Sequence, residues 1–436
     1  MERSIFQTET EPERNCLNLN KYLNTMNIKL NYIAFLAFLM LISCNEKAEK
    51  ENANEANKAD EVIAGVSEKY APDKRVALFD IEAVKNDETY ILKGESNMPE
   101  AIEELKNKMK SENLEFRDSI AVLPDENGLE GKTMGVVKIS VANLRDEPKH
   151  SAQLVTQATM GMPLKVYKKQ GGWYYIQTPD GYLGWVDYGG LAHKTKAEFS
   201  EWKSAEKLIY LEAFGNSYEK PNNASQSVSD LVAGNIIELI SEEKGFYKVK
   251  YPHGKEAFIA KAEAKPYQDW LSSLEMEKED LVETSKKLMG LPYLWGGTSS
   301  KGVDCSGFTK TVYFLNGIVI PRDASQQVHT GKLVDSTRNF ENLIPGDLLF
   351  FGRPATDSTS ERVVHVGMWI GNNEFIHSMG DVHVSTMDTT ASDFDEYNYD
   401  RYLRTKRVFN QEDEGLLYLK QKDIFTDADP SKETSE

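Results

Sequence analysis

Cys305 is the residue best placed for covalent chemistry in this 436-residue chain. It stands in Asp304-Cys305-Ser306-Gly307, just ahead of Phe308, Val312 and Leu315, which recur near helical spacing until Gly317. This predicts a thiol in the first turn of a helix, where unpaired amides and the helix dipole favour the thiolate, the reactive form. Asp304 suits the N-cap, because its carboxylate can accept from first-turn amides. Two histidines follow on alternating, strand-like patterns: His365 within Val363–Ile370 and His377 within Glu374–Met379. Gly371-Asn372-Asn373 between them is a hairpin signal. Both histidine numbers are odd, and an odd-length loop puts both rings on one face. One imidazole could then face the thiol while the other holds it in the useful tautomer. A buried inert cysteine or a packed core histidine is the commoner fate of either residue alone; together they outline a nucleophile, a base and an orienter.

His150, His193, His253, His329 and His383 lie in loop-like or mixed contexts with no shared spacing. There is no Cys-x-x-Cys and no His-Glu-x-x-His, so the sequence supports no zinc and no metal.

The text around the three residues extends the pattern. Tyr293-Leu294-Trp295-Gly296-Gly297 lies upstream, Gly346-Asp347-Leu348-Leu349-Phe350-Phe351 between, and His365-Val366-Gly367-Met368-Trp369-Ile370-Gly371 holds the first histidine. Together they resemble the NlpC/P60 cell-wall cysteine peptidases, a papain-like family, over roughly residues 278–408. The resemblance implies that Cys305 attacks a peptide carbonyl, His365 acts as base then acid, His377 orients it, and Tyr293 helps hold the oxyanion. It implies no cofactor. The implied substrates are murein stem peptides, cut between γ-D-glutamate and the following diamino acid. Members with SH3-like modules over the cleft resemble recycling peptidases that require a free amino terminus on L-alanine. Asp304, Ser306, Trp295, Arg322 and Asp323 match positions lining that pocket, and Asp304 is chemically apt to pair with an ammonium. Glu147 and Tyr182 could supply a further wall; the alternatives are a solvated turn residue and a place in a barrel core.

Earlier in the chain, residues 131–195 hold short strands punctuated by Pro148, Gly161, Gly171-Gly172 and Asp180-Gly181, the spacing of a small antiparallel barrel. Val141-Ala142-Asn143-Leu144-Arg145-Asp146-Glu147-Pro148 and Gly181-Tyr182-Leu183-Gly184-Trp185-Val186 resemble the signatures of bacterial SH3-like domains. A weaker second copy runs over 203–267. There Ser229-Asp230-Leu231-Val232-Ala233-Gly234 parallels the middle of the first copy, and Gly245-Phe246-Tyr247-Lys248-Val249 parallels Gly172-Trp173-Tyr174-Tyr175-Ile176. Residues 73–130 read as a small α/β segment without visible chemistry: strands at Val76–Phe79, Thr89–Leu92 and Ser119–Leu123, and a helix at Pro99–Met109. Residues 411–436 read as an acidic tail, with a short helix at Leu416–Leu419 before a disordered end. The expected class is multidomain α+β: two small SH3-like β-barrels followed by a papain-like α+β domain.

At the start, Lys29 precedes an apolar run, Tyr32–Ile42, too short to cross a bilayer as a helix but suited to a signal-peptide core. Leu41-Ile42-Ser43-Cys44 resembles the lipobox of bacterial lipoproteins. Residues 1–43 then form a leader whose true start is Met26, and 44–72 a tether lipidated on Cys44, holding the protein to a membrane in the cell envelope. The balance of 51 basic and 69 acidic side chains, formally −18, argues against nucleic-acid partners. Two rival readings remain. One is an endopeptidase whose SH3-like modules dock on intact peptidoglycan. The other is a non-catalytic wall-binding lipoprotein, which would need a decayed triad; every triad position is filled.

Overall fold

The computed structural model describes residues 58–87, 89–275 and 277–427. The leader, Cys44 and the last nine residues lie outside the described residues. Residues 58–70 are helical, so this end of the expected tether is ordered. Val62, Val66 and Tyr70 recur at helical spacing; Val66 is buried, and the Tyr70 hydroxyl donates to Glu104 at 2.7 Å.

A three-stranded sheet follows: Phe79–Asn86 pairs antiparallel with Thr89–Ser96, which pairs parallel with Phe116–Val122. Helix Pro99–Ser111 makes the crossover the parallel pair needs and buries Ile102, Leu105 and Met109. The first strand begins at Phe79 and not at Val76. Residues 75–76 are engaged elsewhere: the Leu183 amide donates to the Arg75 carbonyl at 2.8 Å, and Gln177 Nε2 to that of Val76 at 2.9 Å.

Two seven-stranded antiparallel modules come next. In the first, the strands lie in the order Leu191–Lys194, Met134–Val137, Pro163–Gln170, Trp173–Gln177, Leu183–Asp187, Val141–Arg145, Leu154–Thr159. In the second the order is Ala264–Pro266, Lys207–Tyr210, Ile236–Glu243, Phe246–Lys250, Glu256–Ala260, Phe214–Tyr218, Ser227–Val232. Element for element the two orders are the same, so the weak second copy is a true repeat of the fold. Each has its own core, Val137, Leu144, Val166 and Ile176 in one and Leu208, Leu231, Ile237 and Val249 in the other.

The C-terminal domain is a six-stranded sheet in the order Lys332–Asp335, Tyr402–Arg407, Leu348–Arg353, Arg362–Gly371, Glu374–Met379, Asp381–Thr386. Helix Cys305–Leu315 packs across its centre, burying Phe308 and Val312 against Phe350, Val366, Met368 and Ile376. Gly371 pairs with Glu374, so the hairpin loop is two residues, Asn372 and Asn373, both at positive φ. The extra residue that keeps His365 and His377 on one face comes instead from a bulge between Trp369 and Gly371.

Among the described residues the acidic tail, 411–427, is not a helix but a packed segment. Leu417–Tyr418 pairs with Ile318–Val319, and Phe425 is buried against Tyr267 and Phe314. Its charged residues set the composition, but Leu416, Leu419, Ile424 and Phe425 decide the packing. Phe425→Ala should therefore cost roughly 3 kcal/mol in urea unfolding, as expected for a buried aromatic; a value near zero would mean the tail does not hold this place.

Candidate active site

Cys305 is the first residue of its helix, and Asp304 is the N-cap, accepting from the Gly307 amide at 2.7 Å. Gly307 is needed there because a β-carbon would stand 1.9 Å from the Gly297 carbonyl oxygen. The buried thiol lies beside the Val366 amide, one residue past His365 in the adjoining strand. His365 Nε2 and His377 Nδ1 are 2.8 Å apart, and His377 Nε2 lies 3.0 Å from Ser385 Oγ. These contacts couple the two tautomers. If His365 is to take the thiol proton on Nδ1, its Nε2 carries hydrogen and donates to His377 Nδ1; His377 Nε2–H then donates to Ser385. The sequence reading missed Ser385, whose only signal is its place on the strand paired with His377's own.

Electrostatics depart from the expected preformed thiolate. Burial first, and the Asp304 charge second, push the Cys305 thiol up to about 12. Burial also holds His365 well below the ordinary imidazole range, helped by His377. His377 is brought to about 3, by burial and then by His383, whose ring is 4.5 Å away. The resting pair is neutral thiol and neutral imidazole. Tyr293 is half-buried, and its phenol is raised to about 12 by burial and the neighbouring Cys305.

The Asp304 carboxylate is already occupied. Arg322, itself fully buried, grips both oxygens from Nη2 at 2.7 Å and Nη1 at 3.1 Å, and the Gly296 amide donates at 2.9 Å. Asp304 is therefore not the free ammonium partner expected of it. Arg322 also donates to Ser306 Oγ at 3.0 Å and to Thr156 of the first SH3-like module at 2.9 Å. It thus faces these groups and not the cleft.

Asp323 is open enough for that role. Tyr182, from the first SH3-like module, donates to its Oδ2 at 3.0 Å, and Arg75 donates to the same oxygen at 2.6 Å. Further contacts seat the module on the peptidase domain. Gln157 Oε1 accepts from the Thr298 amide and from Ser299 Oγ, and buried Lys310 pairs with Asp180 at 2.9 Å. Trp295 is 63 % exposed on the loop just before this seam. Glu147 is exposed and paired with Lys149 at 2.7 Å; among the described residues it makes no hydrogen bond to the peptidase domain.

The NlpC/P60 family profile matches residues 290–404, and that of the bacterial SH3 domain matches 140–192. A γ-D-glutamyl-L-lysine dipeptidyl-peptidase of Bacillus cereus is 34 % identical over 234 residues, covering 52 % of this chain and 67 % of its own. One of the same name from Bacillus subtilis is 32 % identical over 231 residues, covering 51 % and 71 %. The chain belongs to the NlpC/P60 family. A solved NlpC/P60 protein from Bacillus cereus superposes with a TM-score of 0.54 at 26 % identity, covering 63 % of this chain and 99 % of its own. The chain is an NlpC/P60 cysteine peptidase carrying SH3-type β domains ahead of the peptidase domain.

The buried histidines give stability a pH dependence. The unfolded chain protonates His377 near 6.5, whereas the folded chain resists until about 3. Stability from this residue is complete above the unfolded value and is lost as pH falls toward the folded one. Urea unfolding at about pH 7.5 and about pH 4.5 should show a smaller acid loss in His377→Gln than in the wild type. Equal losses would refute a neutral, buried His377.

Proposed function

We propose that this enzyme hydrolyses the γ-D-glutamyl–diamino acid bond of murein peptides whose N-terminal L-alanine carries a free ammonium. The observation that carries the reading is the first SH3-like module bonded to the peptidase domain close to Cys305, with Tyr182 on Asp323 and Thr156 on Arg322, the partner of Asp304. Three carboxylates meet there, Asp73, Asp304 and Asp323, against two guanidiniums, Arg75 and Arg322. Three minus two leaves one negative charge, which a single substrate ammonium balances. The names of the Bacillus relatives agree with the bond chosen.

In this reading Cys305 Sγ attacks the γ-carbonyl carbon of D-glutamate as its proton passes to His365 Nδ1. The oxyanion is met by the Tyr293 hydroxyl and amides at the start of the Cys305 helix; one such donor is typically worth about 3 kcal/mol. His365 then gives the proton to the departing diamino acid nitrogen, leaving a thioester. Water, deprotonated by His365, releases L-Ala-D-Glu and restores the thiol. His377, backed by Ser385, keeps His365 in the tautomer that both steps use.

The deciding experiment offers purified protein L-Ala-γ-D-Glu-diamino acid peptide, its N-acetylated form and intact sacculi, with products read by mass spectrometry. An unpaired carboxylate in the pocket costs about 2–5 kcal/mol, so the free peptide should be preferred by roughly thirty-fold to several thousand-fold. Asp323→Asn should narrow the gap. Equal rates on the two peptides would dismiss the free-amine pocket, and release from sacculi alone would favour wall docking by the SH3-like modules. Cys305→Ser should abolish hydrolysis, His365→Ala should come close to that, and His377→Ala should be milder.

The lipid anchor is a proposal from the sequence. Growth with a labelled fatty acid should mark the mature protein, and Cys44→Ala should remove the label and release the protein from the membrane fraction. A Cys44→Ala protein that stays with the membrane would show that the apolar run itself is the anchor.

A further inference from the structure

Residues 73–76 lie outside both matched domains, yet they bridge the seam between them. Arg75 Nε and Nη2 donate to the two oxygens of Asp73 at 2.8 Å each. Its Nη1 donates across the seam to Asp323 Oδ2 at 2.6 Å and to Ser325 Oγ at 2.9 Å. Gln326 Nε2 returns a bond to Asp73 Oδ2 at 2.7 Å. On the other side, the backbone carbonyls of Arg75 and Val76 accept from Leu183 and Gln177 of the first SH3-like module. The segment is a strap, hydrogen-bonded to the module and to the peptidase domain at once.

The strap ends on the carboxylate assigned above to the substrate ammonium. Asp323 Oδ2 carries both Tyr182 and Arg75, and the carboxylate also faces the Gln326 amide as the cap of Ala324–Gln327; Oδ1, with Arg322 no nearer than 3.7 Å, keeps a lone pair for another donor. Asp73 and Asp323 would repel each other across the seam without the guanidinium between them. Burial opposes the Arg75 charge, but its bonds to Asp73 and Asp323 outweigh this and hold it charged.

We infer that Arg75 is a specificity-determining residue: it bolts the Asp73–Val76 strap over the ammonium subsite and holds Asp323 with one oxygen open to the substrate. The inference rests on the free-amine reading and adds to it the element that shuts the pocket. With the bolt gone, the two carboxylates push the strap away, the subsite opens to water, and an N-acylated peptide can enter. The ammonium pair is then solvated and discriminates less.

The test measures kcat/KM on the free and N-acetylated peptides for the full chain and for Arg75→Met, Arg75→Lys and Asp73→Asn, with a melting curve for each. Selectivity for the free peptide should fall by roughly tenfold or more in Arg75→Met, chiefly through a gain on the acetylated peptide. A merely structural defect would lower both rates together. Arg75→Lys should recover part of the selectivity, and Asp73→Asn, which loosens the grip on Arg75 Nε and Nη2 but removes one of the repelling carboxylates, should move it the same way as Arg75→Met by less. If Arg75→Met fails to fold, the direction in Asp73→Asn decides. Unchanged selectivity in the variants, with wild-type preference intact, would overturn the role of Arg75 alone. Increased selectivity would overturn it too, by making Arg75 a competitor of the ammonium. Equal wild-type rates on the two peptides would remove the free-amine reading and this inference with it.

Discussion

The buried ion pair of Arg322 with Asp304 is the interaction on which the remaining geometry depends. Neither side chain reaches water to any extent, and a buried pair is stable only when its geometry is good and its other hydrogen-bonding positions are filled. Both conditions hold. Asp304 caps the Cys305 helix, binds the Gly296 amide and takes two bonds from Arg322; Arg322 places two further donors on Ser306 and Thr156. One pair therefore fixes where the nucleophile helix begins, how the Trp295–Gly297 loop lies against it, and where the first SH3-like module sits. Removing either partner from such a pair would strand a buried charge at about 3–5 kcal/mol.

That construction also decides the state of the Cys305 thiol. A helix N-terminus favours a thiolate by about 0.3–1 kcal/mol, rising to about 2 kcal/mol in favourable sites. The move of the thiol from 9 to about 12 corresponds to about 4 kcal/mol the other way. Burial wins, and the nearby Asp304 charge adds to it. In the proposed mechanism the proton must then leave as the carbon–sulfur bond forms, a step that a neutral imidazole with a fixed tautomer would serve. His365, His377 and Ser385 form a line of hydrogen bonds that keeps it fixed without a carboxylate.

Much of this was legible in the residues. The helix at Cys305 has a cap and an apolar period, the histidine strands alternate, and the SH3-like repeat shows in its glycine and aromatic spacing; all are local signals. What stayed hidden depends on contacts between residues far apart in the chain. Asp304 reads as a free pocket carboxylate until Arg322 is seen to fill it. The acidic tail reads as disordered because Leu416, Leu419 and Phe425 are diluted by charge, although their burial sets its path. Arg75 carries no motif at all, and its meaning comes from Asp323, 248 positions away. The hairpin loop was misjudged in length, yet the bulge beside it restored the predicted face.

The two SH3-like modules show how a common scaffold was put to different uses. Thr178-Pro179-Asp180-Gly181-Tyr182 in the first occupies the same turn as Tyr251-Pro252-His253-Gly254-Lys255 in the second. Each lies between paired strands, Gln177 opposite Leu183 and Lys250 opposite Glu256. The backbone bonds agree: Thr178 N to Tyr182 O at 3.0 Å matches Tyr251 N to Lys255 O at 2.7 Å, and Gly181 and Gly254 both sit at positive φ. Only the side chains differ in consequence. Asp180 reaches buried Lys310 on the nucleophile helix and Tyr182 reaches Asp323, whereas His253 and Lys255 are exposed. The turn itself is thus generic, and two residues on it turn a barrel hairpin into a contact with the peptidase domain. The second module keeps its place by other means, through Asp230, which accepts from Ser140 at 2.8 Å and pairs with Lys301 at 2.6 Å. Asp230 thus touches both the first module and the peptidase domain, while the Tyr182 turn of the first module is held separately, at Lys310 and at Asp323.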